Sequence, residues 1–96
     1  MAAYIVATVR ITDPEKFGLY AKGIAGLSEQ FGGESLVRGA VAEMLEGDAS
    51  AVGERVIVSR YPDADSARNY IQSAQYQTAK AHREGAGTVV MRLLID

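Results

Sequence analysis

The sequence predicts an α+β fold in which four strands form an antiparallel sheet with helices on one face, and three observations lead to it. Segments rich in β-branched residues alternate with segments that carry a helical apolar period. At two places an aspartate and a proline stand together where a strand ends and a helix begins. The apolar fraction of 48% and the charged fraction of 23% are typical of a globular chain.

The composition excludes several classes of function. A chain of 96 residues without a linker predicts one domain over residues 1–96. There is no cysteine and only one histidine, His82, so disulfides, thiolate chemistry and a multi-histidine metal site are excluded. The net charge of -2, with both signs interspersed, indicates neither nucleic acid nor a membrane as a partner. No secretory signal or membrane helix is recognisable, so we expect a cytoplasmic location.

The first third of the chain predicts a strand followed by a helix. Residues 3–11, AYIVATVRI, form the strand, and Asp13 before Pro14 starts the helix, although Thr12 and Glu15 offer an alternative capping box. The helix should last until a Gly-Gly pair at 32 and 33, with an apolar stripe of Phe17, Tyr20, Ala21, Ile24, Leu27 and Phe31. We expect this stripe to pack on one wholly apolar face of the strand, made of Ala3, Ile5, Ala7, Val9 and Ile11.

The remaining elements follow from turn residues and caps. The chain predicts, in order, a strand over 34–38, a loop over 46–54, a strand over 55–61, a helix capped by Asp63, a short helix over 75–84 recapped by Ser73, and a closing strand over 88–95. The second strand would run on to residue 45 if Gly39 permits a bulge.

The order β-α-β-β-α-β, with one added short helix, is the pattern of a ferredoxin-like sandwich. Right-handed crossovers place both main helices on the same face of the sheet. The other face should hold Val6 and Thr8, together with either Val90 and Leu94 or the set at positions 89, 91 and 93. Because such a face would leave apolar side chains in water, we expect two copies to pack their sheets together as a homodimer.

Four segments of the chain also carry a family resemblance. They are AYIVATVRITDPEKFGLY at the start, FGGESLVRGAVAEMLEG in the middle, VIVSRYPDADSARNYIQSAQYQTAKAHR, and the closing strand rich in valine and leucine. As a set they resemble the domain of unknown function 1330 family, within the dimeric α+β barrel superfamily. The resemblance implies the fold and a dimer, with no established activity. Related families include cofactor-free oxygenases, lactone isomerases and haem-handling enzymes, which is an analogy of fold alone.

Arg38 is the candidate anion-binding residue. It stands at the end of a predicted strand, before Gly39, and its guanidinium offers a planar fork of donors that fits a carboxylate. The other interpretation is an ion pair at the sheet edge with Glu43, Glu46 or another carboxylate.

Four further side chains are candidates for ligand binding or proton transfer. Tyr20 and Tyr70 lie on the apolar stripes of the two main helices, either as core residues or with hydroxyls that converge on a cavity. Tyr76 follows the Ser73 cap, where it either packs on the core or offers its phenol to a ligand. His82 titrates near neutrality and suits general acid or base catalysis, although the end of a short helix is an ordinary surface position.

Two functions remain open from the sequence. The first is an enzyme for a small organic acid, with Arg38 holding the carboxylate and Tyr20, Tyr70 or His82 moving a proton. The second is a non-catalytic ligand-binding or structural dimer. No nucleotide-binding glycine loop or catalytic triad is recognisable, so we expect neither a cofactor nor a metal.

Overall fold

The computed structural model describes all 96 residues and contains one four-stranded antiparallel sheet. In chain order its elements are β1 (Ala3–Ile11), α1 (Pro14–Ile24), β2 (Glu34–Ala40), β3 (Arg55–Tyr61), α2 (Ala64–Gln72), α3 (Ala74–His82) and β4 (Gly87–Ile95), with short 3-10 turns at Ser28–Phe31 and Ala49–Ala51. Across the sheet the strands lie in the order β2-β3-β1-β4. The predicted ferredoxin-like α+β fold is confirmed.

Side-chain caps start the helices where the sequence places them. The carboxylate of Asp13 accepts a hydrogen bond of 3.1 Å from the backbone N–H of Lys16, and Asp63 caps α2 in the same way. Ser73 separates α2 from α3, because its Oγ accepts from the N–H of Tyr76 at 3.1 Å. Each cap satisfies an N–H group that has no partner inside the helix, so a local signal sufficed to predict the helix starts.

The first helix is shorter than predicted. It ends at Ile24 rather than at residue 31, because Ala25 leaves the helical backbone with ψ 121° and Gly26 turns the chain with φ 74°. Glycine adopts this left-handed conformation without steric cost. The chain then resumes as the 3-10 turn Ser28–Phe31. Leu27 is still buried after the turn, so the apolar spacing continues across the break and conceals it.

The second strand contains the predicted residues 34–38 and ends at Ala40, so the conditional extension to residue 45 is not formed. Its bulge lies between Ser35 and Val37 rather than at Gly39. The extra residue reverses the alternation of side chains along the strand. As a result Val37 shares the face of Val58, and Arg38 points to the opposite face, towards the helices.

The core lies between the sheet and the helices. Ala3, Ile5, Ala7 and Val9 of β1 are buried there, as predicted. Ile11, which was expected to be core, is 38% exposed. It lies beyond the last residue pair with β3 and opposite Gly87, which has no side chain to cover it. The largest buried side chains are aromatic, which makes the helix side of the sheet a cluster of tyrosines.

The opposite side of the sheet, here called the helix-free face, has an apolar centre and a charged rim. Its central side chains are Val6, Thr8, Val37, Val56, Val58 and Val90. Its rim carries Arg10, Glu34, Arg60 and Arg92. The register settles the open alternative for β4, because Val90 and Leu94 lie on this face and are 42% and 50% exposed. The principal extents of the chain are 34 × 31 × 15 Å, so only one layer of helices covers the sheet.

Candidate functional site

A cavity of about 640 Å³ lies between α1 and the helix-covered side of the sheet. The sheet contributes Ile5, Ala7, Val9 and Ile57, and α1 contributes Phe17, Tyr20 and Ile24. Tyr61 and Tyr70 line it as well. A volume between about 300 and 1,000 Å³ with mostly apolar walls is typical of a small-molecule site. Phe17 and Ile24 remain only partly buried, because they border this space.

Two arginines, both exposed, line the cavity from the sheet. Arg38 of β2 is paired with Ile57, and the next residue on the same face, Ala40, is paired with Arg55. Arg38 and Arg55 are therefore diagonal neighbours, roughly 7–8 Å apart along the sheet. Neither makes an ion pair, since the two salt bridges of the chain join Arg10 to Glu54 and Arg68 to Asp65. The predicted alternative for Arg38, an ion pair at the sheet edge, is not formed.

Arg55 borders the cavity, although nothing in the sequence marks it as a site residue. The alternation of β3 places it on the same face as Ile57 and Tyr61, but only the bulged register of β2 brings Arg38 beside it. Gly39, the residue after Arg38, does not border the cavity. It is paired with Val56 on the helix-free face, and a Cβ atom there would meet nothing within 4 Å.

A hydrogen-bonded chain of three side chains supports the wall of the cavity. Arg83 donates through Nη1 to the hydroxyl of Tyr76 at 2.8 Å, and that hydroxyl lies 3.1 Å from the hydroxyl of Tyr20. The guanidinium of Arg83 also stacks on the ring of Tyr20, 4.6 Å from its centroid. Tyr20 lines the cavity, whereas Tyr76 is only 1% exposed and lies behind it. Tyr76 therefore reaches the cavity through Tyr20.

The hydroxyl of Tyr70 has no hydrogen-bond partner in the protein, although its side chain lines the cavity. Tyr61 differs, because its hydroxyl is 2.7 Å from Oγ of Ser28. No side-chain polar atom of the chain is fully enclosed without a partner, so the Tyr70 hydroxyl retains contact with open space. A buried ring with an accessible, unpaired hydroxyl is a hydrogen-bond donor available to a ligand.

Burial keeps these phenols neutral. It raises the pKa of Tyr20, and the hydrogen bond with Tyr76 raises it further, while Arg83 lowers it by a smaller amount. Burial also raises the pKa of Tyr70 and of Tyr61, the latter partly opposed by the hydrogen bond with Ser28. Tyrosine is neutral at pH 7 in any case, and the raised pKa keeps these phenols neutral, and able to donate a hydrogen bond, to higher pH.

The raised tyrosine pKa values predict a loss of stability at high pH. In the unfolded chain tyrosine ionises near pH 10, whereas the buried phenols stay neutral to higher pH, so their contribution is complete below about pH 10 and is lost above it. We expect the free energy of unfolding to fall between pH 9 and pH 11, and to fall less in Tyr70→Phe. Urea titrations at both pH values measure this. An equal loss in the wild type and the variant would contradict the expectation.

The remaining predicted residue, His82, lies elsewhere. It is the last residue of α3, is exposed and does not line the cavity. The structure thus brings Arg38, Tyr20 and Tyr70 together, holds Tyr76 behind Tyr20, and leaves His82 at the surface. No three potential metal-ligating side chains lie together. None of the helices has the length and apolar character needed to cross a membrane.

Solved structures similar to this chain share its fold. A protein of unknown function from Rhodopseudomonas palustris aligns with a TM-score of 0.79 and 21% identity, covering 97% of this chain and 80% of that one. A dimeric ferredoxin-like protein of unknown function from Jannaschia sp. CCS1 aligns with a TM-score of 0.73 and 10% identity over 100% of both chains. The cofactor-independent oxygenase SnoaB from Streptomyces nogalater aligns with a TM-score of 0.67 and 12% identity, covering 99% of this chain and 92% of that one.

At these identities the similarity concerns the fold and not the activity. No protein of curated function matches the sequence significantly. A family profile does match, and it covers residues 2–95, which include every strand and helix around the cavity. The chain therefore belongs to the family described as Domain of unknown function (DUF1330).

Proposed function

We propose that this protein binds a small, partly apolar organic acid in the cavity between α1 and the sheet. The observation that carries the proposal is the pair of neighbouring arginines, Arg38 and Arg55, which line the cavity without a carboxylate partner. Two like charges at this separation repel each other, although water weakens the repulsion because both side chains are exposed. A bound anion removes this repulsion, and two guanidinium forks offer enough donors to hold both oxygens of a carboxylate.

The rest of the cavity favours an acid with an apolar body. Its walls include Val9, Ile57 and the ring of Phe17, which have no polar group to offer. Glu29 is the one carboxylate that borders the cavity, and it makes no ion pair with either arginine. An acid with a ring or a short branched chain would place its charge at Arg38 and Arg55 and its apolar part against these walls.

A thermal-shift screen of small organic acids tests the arginine pair. We expect some acids to raise the midpoint temperature of unfolding of the wild type. The same acids should bind about tenfold to a hundredfold more weakly to Arg38→Ala and to Arg55→Ala, because a charged hydrogen bond to the carboxylate is lost. Without ligand, neither variant should be less stable than the wild type, since each loses a repulsive neighbour.

Arg68→Ala is the matched control, because it removes the same charge from an exposed position on α2. Acids should stabilise it as they stabilise the wild type. If no acid stabilises the wild type, or if the same acids stabilise all four proteins equally, the two arginines do not form an anion site.

The role of the tyrosines separates the two functions that the sequence leaves open. Tyr20 and Tyr70 suit an orienting role, because their raised pKa values make the phenols poor proton donors, and His82 lies outside the cavity. An enzyme would convert the bound acid, and mass spectrometry would detect a product that Tyr20→Phe no longer forms. A non-catalytic binding protein would return the acid unchanged.

We further propose that the protein acts as a homodimer through its helix-free face. The exposed valines at the centre of this face and the arginines at its rim support the proposal, because a stable interface combines an apolar centre with a polar edge. Solved proteins of the same fold from Jannaschia and Thermobifida fusca are described as dimeric. A cytoplasmic location stays a prediction.

A further inference from the structure

Besides the arginine pair, two tyrosines, Tyr20 and Tyr70, line the cavity. Both rings pack edge-on against Tyr76, with centroids 6.0 and 5.2 Å away. The Tyr70 hydroxyl has no protein partner. The Tyr20 hydroxyl has one, Tyr76, and the hydrogen of that bond can belong to either residue.

Arg83 favours one of the two orientations of this hydrogen bond. Because Arg83 donates to the Tyr76 hydroxyl, Tyr76 is polarised and becomes a stronger donor. If Tyr76 donates to Tyr20, the hydrogen of Tyr20 is free to point into the cavity. If Tyr20 donates instead, Tyr76 is left with the sulfur of Met91 at 3.7 Å, which is a weak acceptor.

A ligand oxygen in the cavity therefore selects the first arrangement. The contact from the Tyr76 hydroxyl to the sulfur of Met91 is lost, and a stronger hydrogen bond from Tyr20 to the ligand oxygen replaces it. Arg83 then donates to Tyr76, Tyr76 donates to Tyr20, and Tyr20 donates to the ligand. The same oxygen can accept a second hydrogen bond from Tyr70, because a carbonyl oxygen has two lone pairs.

We infer that the hydroxyls of Tyr20 and Tyr70 form a binding site for an uncharged oxygen of the ligand. The preferred ligands are then oxo or hydroxy acids. Arg83 is a positioning residue that acts on this site through Tyr76. The inference rests on the proposed function for the carboxylate end of the ligand. The oxygen end depends on other residues, so the two can be tested separately.

The experiment compares ligands that differ by one oxygen. Isothermal titration would measure the affinity of the acetylbenzoates and the matched ethylbenzoates, and of the neutral pair acetophenone and ethylbenzene. For the best acid pair and for the neutral pair we expect the ketone to bind about fivefold to tenfold more tightly to the wild type, as one net hydrogen bond provides. Tyr20→Phe and Tyr70→Phe should each reduce this ratio while leaving the affinity of the ethyl compounds unchanged.

Arg83→Gln tests the positioning role. It should lower the ketone preference without altering the affinity for ethyl compounds, whereas a merely structural role would weaken both ligand series together. Tyr4→Phe is the control, because Tyr4 lies on the helix-free face and its hydroxyl contacts Asp96. Its ketone preference should equal that of the wild type.

The outcomes distinguish the two proposals. If acids bind but the ketone preference is absent, or survives in both Tyr20→Phe and Tyr70→Phe, the oxygen site is wrong and the arginine site stands. If acetophenone binds with a preference that depends on Tyr20, while a carboxylate adds no affinity, the arginine site is wrong and the oxygen site stands. If none of these compounds binds the wild type, both proposals fail.

Discussion

Replacing Leu27 with alanine is expected to lower the free energy of unfolding by about 2–5 kcal/mol. Leu27 is 5% exposed and belongs to the buried cluster that includes Tyr61 and Tyr70. Its truncation removes buried methyl groups and leaves a space that the rigid aromatic neighbours cannot fill by small movements. Urea unfolding at one fixed protein concentration measures the change, because association would otherwise contribute to the apparent stability.

The control for this substitution is Leu19→Ala, since Leu19 is 51% exposed on α1 and loses few contacts. Ile24→Ala should fall between the two, because Ile24 borders the cavity and its truncation enlarges a space that already exists. A cost below about 0.5 kcal/mol for Leu27→Ala is the range of surface positions and would contradict its place in the core.

The order of elements could be predicted because its signals are local. Asp13, Asp63 and Ser73 cap helices within three residues of themselves, and a strand of β-branched residues is recognisable from its own composition. The end of α1 could not be predicted from the apolar period. Leu27 stays in phase with the helix that Gly26 has already ended, so the pattern is the same with or without the break.

The candidate site was less predictable because it depends on register. Arg38 and Arg55 are 17 residues apart in the chain, and a shift of one residue would place one of them on the helix-free face. Gly39 suggested a bulge at its own position, but the irregularity lies between Ser35 and Val37. The sequence also could not rank the tyrosines, because their positions on apolar stripes do not reveal which hydroxyl lacks a partner.

Val90→Asp is expected to dissociate the proposed homodimer. Val90 lies on the helix-free face and is 42% exposed in the single chain, so an aspartate there costs the isolated protomer little. In a symmetric dimer the substitution buries a carboxylate in each partner, and each costs several kcal/mol unless it is paired. The dissociation constant should therefore rise on the order of a thousandfold or more.

Light scattering at micromolar concentration would detect this change as a fall from the dimer mass to the monomer mass. Leu19→Asp is the control, because it adds the same charge at an exposed leucine on the helix layer and should leave the dimer intact. A monomer mass for the wild type, or an unchanged dimer in Val90→Asp, would contradict the proposed interface.

The same variant separates assembly from ligand binding. The cavity lies on the helix-covered side of the sheet, and Val90 points to the other side, so the monomeric variant retains every residue that lines the cavity. Organic acids that stabilise the wild type should therefore also stabilise folded Val90→Asp, with affinities within a few fold. Loss of acid binding in a folded monomer would instead mean that the partner protomer holds the sheet, and with it Arg38 and Arg55, in the binding geometry.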